Sequence, residues 1–358
     1  MGGPDLSLDA QRQRRNLDFL ASGAEFDFGD AADCPLPPAE LAALQADSPG
    51  VEAVVTGGLS AEVLKLRVGE RLFAVKKARP QCRVRNVDGQ TSFLNELQRH
   101  AELRALALPG VLKPVYGSLR HGLIVSPWIA GGNPQRFDQR QTAQLLESGC
   151  ALVAAGFFEW DFSPGNLLDD GRRLWLFDFG YLYRFDPLSQ YNSAGMGNDC
   201  PQFHLAERII SRHLSGQLLM LDDTEALPAF RDFIGLALPA YEGLQRQLRE
   251  RGARAHVLSW LETIMAAWRA GLDGDLGPLF LQQCWQAHAH DLDDDLRGQS
   301  CTARTLRRAE WLAQTAEREH ATLKHSGALP AALAQLDANA LGAHYRGLGA
   351  QARAYLIA

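Results

Sequence analysis

The chain has 358 residues, of which 46% are hydrophobic and 22% are charged, and this composition predicts a globular protein of about two domains and argues against a mostly disordered chain. Its 36 Lys and Arg against 42 Asp and Glu give a formal net charge of −6, which argues against a broad nucleic-acid-binding surface because such surfaces concentrate basic side chains. No apolar run is long enough to predict a membrane span. The start of the chain lacks a secretory pattern, and the six scattered cysteines contain no C-x-x-C pair, so we expect reduced thiols and a cytoplasmic location.

Residues 1–50 have the character of an irregular N-terminal arm. Pro35, Pro37 and Pro38 interrupt any long helix there, and arginines cluster near residue 14. We expect this arm to be solvated, with docking to a partner as the alternative.

Residues 51–128 predict a small antiparallel β domain with one helix. Gly57-Gly58 and Gly69-Glu70 separate short runs of valine and leucine, as hairpin turns do. Helical spacing of apolar residues follows over 91–107 and ends at Pro109-Gly110. The predicted strands are Val51–Val55, Val63–Val68, Arg71–Lys76, Val111–Tyr116 and Leu123–Val125.

Residues 129–358 are predicted to be mainly helical, with a last helix over about 329–357. The exception is 156–184, where glycine and proline alternate with aromatic and acidic residues. A small β lobe followed by a large helical lobe predicts an α+β fold with two lobes.

Two acidic motifs within 156–184 carry the chemistry that the sequence suggests. Asp161 and Asn166 lie five residues apart in Glu-Trp-Asp-Phe-Ser-Pro-Gly-Asn, and Asp178 follows an apolar strand in Asp-Phe-Gly. Carboxylate and carboxamide oxygens are hard ligands that suit Mg²⁺. We therefore predict that one of Asp161 and Asn166 lies near an acceptor hydroxyl and the other on Mg²⁺, with Asp178 as a second metal ligand.

These motifs, at this spacing, resemble those of the protein-kinase-like phosphotransferase superfamily. The resemblance implies a two-lobe kinase fold with ATP and Mg²⁺ as cofactors. It also implies that Asp161 is the catalytic base and that Asn166 and Asp178 bind the metal. Phe-Ala-Val-Lys, ending at Lys76, is similar to the strand whose lysine contacts nucleotide phosphates. That lysine is held by a helix carboxylate in the family. Glu96 is our candidate for this partner, and Glu102 is the alternative.

The resemblance also implies a nucleotide site in the β lobe. Gly57, Gly58 and Ser60 occupy the position of the glycine-rich loop, although Ala61 replaces its third glycine. Val63 and Ala74 are expected to pack on adenine. The segment of Val125, Ser126 and Trp128 is expected to hydrogen-bond the adenine edge through a backbone N–H. Of these, Trp128 is the expected donor, because the preceding proline has no N–H.

Three departures from ordinary protein kinases bear on the substrate. Glu-Trp-Asp replaces His-Arg-Asp, Ser163 stands where a lysine helps to neutralise the γ-phosphate, and no clear Ala-Pro-Glu follows Gly180. The loop from Asp161 to Asn166 is more similar to that of aminoglycoside and choline kinases. We therefore expect an atypical kinase that phosphorylates a small molecule or sugar. The alternatives are a protein Ser/Thr/Tyr kinase, a nucleotide-binding pseudokinase and an AMP transferase; a homodimer is left open.

One further group of residues has metal-ligand chemistry. Cys284, His288, His290 and Asp291 lie close in sequence, but no second ligand group follows at zinc-finger spacing. We expect a polar helix end there, followed by a solvated acidic run over Asp293–Asp295.

Overall fold

The structure is a computed structural model that describes residues 6–134 and 136–357. The chain divides into two compact units. The first contains the described residues up to Asn133 together with Gly165–Tyr183 and Ala194–Met196, and the second contains the other described residues. This division differs from the contiguous domains predicted at 51–128 and 129–358, because the Asp-Phe-Gly segment groups with the β sheet.

The described residues form ten strands and eleven α-helices. The strands are β1 (Asp27–Gly29), β2 (Val51–Val55), β3 (Ala61–Val68), β4 (Arg71–Ala78), β5 (Tyr116–Ser118), β6 (Leu123–Pro127), β7 (Phe157–Glu159), β8 (Leu167–Asp169), β9 (Leu174–Leu176) and β10 (Leu182–Arg184). The helices are α1 (Leu8–Ala21), α2 (Pro38–Ala43), α3 (Val87–Leu103), α4 (Gln139–Ala154), α5 (Leu205–Ile209), α6 (Ser215–Leu218), α7 (Asp223–Glu250), α8 (Ala255–Asp273), α9 (Gly277–Gly298), α10 (Ala303–His325) and α11 (Ala338–Ala352). A small antiparallel sheet with a larger helical part confirms the predicted α+β class. Across the described residues, no helix is both long and apolar enough to span a membrane.

The first unit is organised around an antiparallel six-stranded sheet in the order β1-β5-β6-β4-β3-β2. Alternation along β3 and β4 gives the sheet two different faces. One face buries Leu64, Leu66 and Val75 against α2, and each such side chain contributes about 1.5–3 kcal/mol of hydrophobic stabilisation. On the other face, Ile124 packs with Leu97 of α3.

The N-terminal segment is an integral part of the first unit, which corrects the expectation of a solvated arm. Strand β1 pairs with β5, and α1 packs on α3. Arg12 of α1 is buried, donates to Asp88 of α3, and stacks its guanidinium 3.5 Å from the ring centroid of Tyr183. The five residues before Leu6 lie outside the described chain.

The second unit is mainly helical, and its last helix differs from the sequence prediction. The chain leaves α10 at His325 and starts α11 only after Asp337, whose side chain caps it, so the predicted helix over 329–357 is shorter. A five-residue π-helical turn, Ile210–Leu214, joins α5 to α6. In the first unit, Val111 forms only an isolated bridge to Leu176 rather than starting a strand.

Candidate functional site

Lys76 lies in the middle of the first unit's sheet, on β4, directly opposite Val63 of β3 and Ile124 of β6. Directly opposite residues in an antiparallel pair project from the same face. Lys76 therefore lies on the face of the sheet where Ile124 meets α3. Its side chain is only 12% exposed, so its ammonium group needs partners within the protein.

Two carboxylates supply those partners. The Nζ of Lys76 donates to both carboxylate oxygens of Glu96, at 2.7 Å each, and to Oδ2 of Asp178 at 2.8 Å. Glu96 is the partner that the sequence favoured, while Glu102 pairs with Arg99 one helical turn away. Burial opposes the charge on Lys76, yet the carboxylates of Asp178 and Glu96 raise its pKa above the ordinary value.

The three side chains carry one more negative charge than positive charge. Burial, followed by repulsion from Glu96, raises the pKa of Asp178 although Lys76 opposes the shift. Burial would raise the pKa of Glu96, but Lys76 and His100 together lower it below its ordinary value. The cluster therefore has one uncompensated negative charge, next to Asp178. A cation bound there would be favoured because it would compensate this charge.

Helix α3 also fixes the segment that carries Asp178, through two residues that the sequence analysis missed. The Nδ2 of buried Asn95 lies 3.1, 3.1 and 3.0 Å from the carbonyl oxygens of Phe179, Gly180 and Leu182. His100 packs edge-on against Phe179, with ring centroids 5.2 Å apart. Asn95 and His100 are polar and add nothing to the apolar periodicity of α3. Only their positions near Glu96 in the sequence could have suggested that they hold the Asp178 segment.

Asn166 and Asp178 lie at the open end of the β8–β9 hairpin. Leu167 pairs with Leu176, and the N–H of Phe177 reaches the carbonyl of Asn166 at 3.4 Å. Within residues 6–134 and 136–357, no three His, Cys, Asp or Glu side chains cluster as a metal site. One carboxylate and one carboxamide nevertheless fit Mg²⁺, which usually takes few protein ligands and completes its shell with water and phosphate oxygens.

The loop between β2 and β3 is held from one side by Arg79. Its guanidinium donates to the carbonyls of Thr56 and Gly58. In a planar trans peptide the next N–H points the opposite way, so the N–H groups of Gly57 and Leu59 point away from Arg79. A Cβ at Gly58 would lie 2.5 Å from the carbonyl oxygen of Ala61. Glycine at 58 therefore lets this turn close, and the loop presents backbone donors of the kind that bind phosphates.

Three of the predicted adenine-site residues share the face of Lys76. Val63 is opposite Lys76, and Ala74 is opposite Ser126. These three, Val63, Ala74 and Ser126, therefore lie together beside the ammonium group.

Two of the predicted adenine-site residues are placed differently from the expectation. Val125 is opposite Val75 on the other face of the sheet, where it is fully buried, and its carbonyl accepts from the N–H of Val115. The N–H of Trp128, predicted to bind adenine, donates to the carbonyl of Leu72 at 3.0 Å. The β4–β6 ladder thus continues one residue further than the sequence suggests, and it engages the expected donor.

Asp161 belongs to the second unit and has its own set of donors there. Its Oδ1 accepts from the N–H of Ser163 at 3.2 Å, from the Ser163 hydroxyl and from Nε of Arg212 at 3.0 Å. Burial would raise the pKa of this carboxyl, but Arg212 and Ser163 lower it below the ordinary value. Asp161 is therefore held as a carboxylate at neutral pH.

Arg212 connects Asp161 to charges on α9 and α10. It also donates to Asp291, which in turn pairs with Arg308. Asp291 is 2% exposed, so the expected polar helix end at 284–291 is instead the middle of a helix that contributes to the buried interior. The solvated run after it is only partly correct, since Asp295 accepts from Thr305 and is 15% exposed while its neighbours are about half exposed.

A scan of the chain against models of known protein families finds no match, and a search of curated proteins finds none either. The functional interpretation therefore depends on the side-chain geometry of each unit and on the motifs in the sequence.

Proposed function

We propose that this chain is an atypical kinase of the protein-kinase-like, two-lobe type, which uses ATP and Mg²⁺ to phosphorylate a hydroxyl group of a small molecule or sugar. One observation carries most of the proposal. A lysine of the β sheet is bonded to a helix glutamate 20 residues away in sequence and to the aspartate of Asp-Phe-Gly, 102 residues away. A buried, net-acidic triad around one ammonium group is costly to fold, and titratable groups perturbed in this way cluster at functional sites.

In the proposed reaction, Lys76 contacts the α- and β-phosphates of the nucleotide, and Glu96 keeps its ammonium group in place. The N–H groups of the 57–60 loop cover the phosphates, while Val63 and Ala74 pack on the base. The shared face of Val63, Ala74 and Lys76 supports this assignment.

Asp178 and Asn166 would hold the magnesium ion through their side-chain oxygens. When bound, Mg²⁺ supplies positive charge that neutralises phosphate oxygens during transfer. The excess negative charge at Asp178 supports this role, and so does the hairpin register that brings Asn166 next to Phe177.

Asp161 orients the acceptor hydroxyl and accepts its proton late in the transfer. The acceptor O–H bond breaks as its oxygen bonds to the γ-phosphorus, and the bond to the β-phosphate oxygen breaks, releasing ADP. A positioned general base of this kind contributes about 10²–10⁴-fold in rate. The lowered pKa of Asp161 supports the role, because it keeps the carboxylate ionised at neutral pH. The base role itself remains a prediction from the sequence motif.

The test is an acceptor screen with Mg-ATP that measures ADP release and the mass of the product. We expect Asp161→Asn to lose transfer but bind ATP, and Asp178→Asn to lose Mg²⁺-dependent ATP binding. Glu96→Gln should weaken both binding and transfer, whereas Glu102→Gln, the matched control on the same helix, should retain them. Near-full turnover in Asp161→Asn would refute the base assignment, and unchanged Mg²⁺-dependent binding in Asp178→Asn would refute the metal site.

The same screen separates the alternatives. A product heavier by an adenylyl group indicates AMP transfer, and transfer only to polypeptides in a lysate indicates a protein kinase. ATP binding with no ADP release in any arm would leave a nucleotide-binding pseudokinase and overturn the proposed reaction.

A further inference from the structure

Arg212 occupies an unusual backbone position. It lies in the π-helical turn Ile210–Leu214, which joins α5 and α6 within the second unit. Single π turns inside helices are rare and occur frequently at functional sites, because the extra residue redirects a side chain. The side chain of Arg212 is only 21% exposed, so its guanidinium is committed to partners within the protein.

Those partners place the guanidinium between two acids. Its Nε donates to Oδ1 of Asp161 at 3.0 Å, and its Nη1 donates to Oδ1 of Asp291. The bond to Asp161 links residues 51 positions apart, and the bond to Asp291 links residues 79 positions apart. The two bonds come from different nitrogens of one planar guanidinium group, so together they fix both the orientation and the position of that group.

The side of Arg212 that faces Asp291 belongs to a buried ion-pair cluster, which we call the anchor. The side chain of Asp291 is 3% exposed and that of Arg308, on α10, is 4% exposed, and the two are ion-paired. Arg308 and Arg212 thus share Asp291, and Arg212 is also bonded to Asp161. Removing one member of such a buried set is strongly destabilising, so the anchor resists rearrangement.

The loop that carries Asp161 provides no cation of its own. Residues 159–166 read Glu-Trp-Asp-Phe-Ser-Pro-Gly-Asn, and Ser163 stands at the position where the resemblance leads one to expect a lysine. We propose that Arg212 is the positioning residue of the phosphoryl-transfer site, supplying from the π turn the positive charge that holds Asp161 oriented towards its acceptor. This inference depends on the proposed function, since it assigns Arg212 a task in that reaction.

The electrostatics agree with this geometry. Arg212 is the main attraction that lowers the pKa of Asp161 against the effect of burial, with Ser163 adding hydrogen bonds. The other charged groups that face Arg212 are Asp291, Asp294 and Asp295 on α9. The side chain of Glu159 accepts the N–H of Asp161. Loss of Arg212 should therefore raise the pKa of Asp161, so that the base becomes protonated at a higher pH.

The first experiment compares Arg212→Gln, Arg212→Lys and Arg297→Gln as transfer enzymes. Arg297, an exposed arginine on α9, is the matched control. For Arg212→Gln we expect kcat to fall by about 10- to 100-fold, a part of what a general base contributes, with KM for ATP unchanged. The acid limb of kcat/KM should move up by about one pH unit. Arg212→Lys should recover part of kcat, and Arg297→Gln should match the unaltered protein.

If the role of Arg212 were merely structural, its substitution would not shift the acid limb of the pH profile of kcat/KM. If Arg212→Gln is folded and keeps its kcat and its acid limb, the proposal is wrong. If Arg212→Gln does not fold, Arg212→Lys still decides, because a shortened and non-planar donor should lower kcat without changing KM for ATP, and an unaltered kcat would contradict the proposal.

The second experiment does not depend on any enzymatic activity. Melting temperatures of Arg212→Gln, Asp161→Asn and the double variant form a thermodynamic cycle. We expect the double variant to melt at a higher temperature than the sum of the single losses predicts, because Asp161→Asn removes the charge that Arg212→Gln leaves unpaired. Strictly additive losses would show that Arg212 does not hold Asp161. Coupling in a chain without any transfer activity would support the pair and overturn the proposed function instead.

Discussion

The charge imbalance around Lys76 predicts that two substitutions in one cluster have very unequal effects on stability. Lys76, Glu96 and Asp178 together carry one net negative charge, and their side chains are 12%, 2% and 25% exposed. Lys76→Met keeps most of the apolar stem but leaves two buried carboxylates side by side. Asp178→Asn keeps the shape of the side chain and leaves a neutral cluster in which Lys76 and Glu96 still pair at 2.7 Å.

The magnitudes follow from the cost of breaking buried ion pairs. Removing one partner of such a pair costs about 3–5 kcal/mol, and since Asp178 is partly exposed, we expect Lys76→Met to lower the free energy of unfolding by about 3 kcal/mol. Asp178→Asn should change it by less than about 1 kcal/mol, or raise it, because the raised pKa of Asp178 shows that its charge is unfavourable in the folded protein.

Urea unfolding at pH 7.5 in the presence of EDTA is the assay, with amide hydrogen exchange in α3 reporting on the first unit alone. Added Mg²⁺ at about 100 times its dissociation constant should stabilise the unaltered protein by about 2.7 kcal/mol and leave Asp178→Asn unaffected. If Asp178→Asn destabilises the EDTA-treated protein as much as Lys76→Met does, the reasoning from net charge is refuted.

Three further predictions concern stability. Three buried histidines have depressed pKa values because of desolvation, about 4 for His204 and about 3 for His213 and His288. Below pH 6.5 the unfolded chain binds protons that the folded chain does not, so stability should fall by about 2 kcal/mol per histidine between pH 7 and pH 5. The raised pKa of Asp295, about 6, offsets part of this loss; urea midpoints that do not fall with pH would contradict the assignment. Gly117→Ala should lower the free energy of unfolding by about 1–3 kcal/mol, since its Cβ would lie 2.2 Å from the ring of Phe28. An unchanged urea midpoint would contradict this prediction. Asn95→Ala should cost about 1–3 kcal/mol, because buried carbonyls lose their donor, with faster amide exchange around Gly180 as its local signature and Gln98→Ala as the control on the same helix.

The part of the candidate site that lies in regular elements could be predicted from the sequence. Lys76 ends an alternating strand, and Glu96 shares a helix face with apolar residues, so periodicity alone orients both side chains towards the interior. Asp178 follows an apolar strand whose pairing with β8 fixes its position. In each case a local pattern sets the direction of one side chain, and the structure places the three together.

Other parts could not be predicted, because the interactions that form them leave no periodic pattern. Helix α1 buries Arg12 and Asn16 rather than an apolar stripe, so its sequence has the pattern of a solvated segment. Arg212 is one basic residue among many until the chain brings it to Asp161. The misplaced Trp128 has a simpler cause: the end of a strand ladder depends on its neighbour, and Leu72 on β4 extends the pairing by one bond.

The discontinuity of the first unit has a consequence for how the protein is made on the ribosome. Its sheet and α3 are complete at Asn133, yet the hairpin with Asp178 arrives only with residues up to Tyr183, 183 − 133 = 50 residues later. At about 5–20 residues per second, the nascent unit waits roughly 3–10 s before Asp178 can pair with Lys76 and before Asn95 of α3 finds its carbonyl partners. Nascent-chain intermediates that expose α3 should therefore persist over this interval, and synonymous codon changes within it would alter the yield of folded protein without altering a single amino acid.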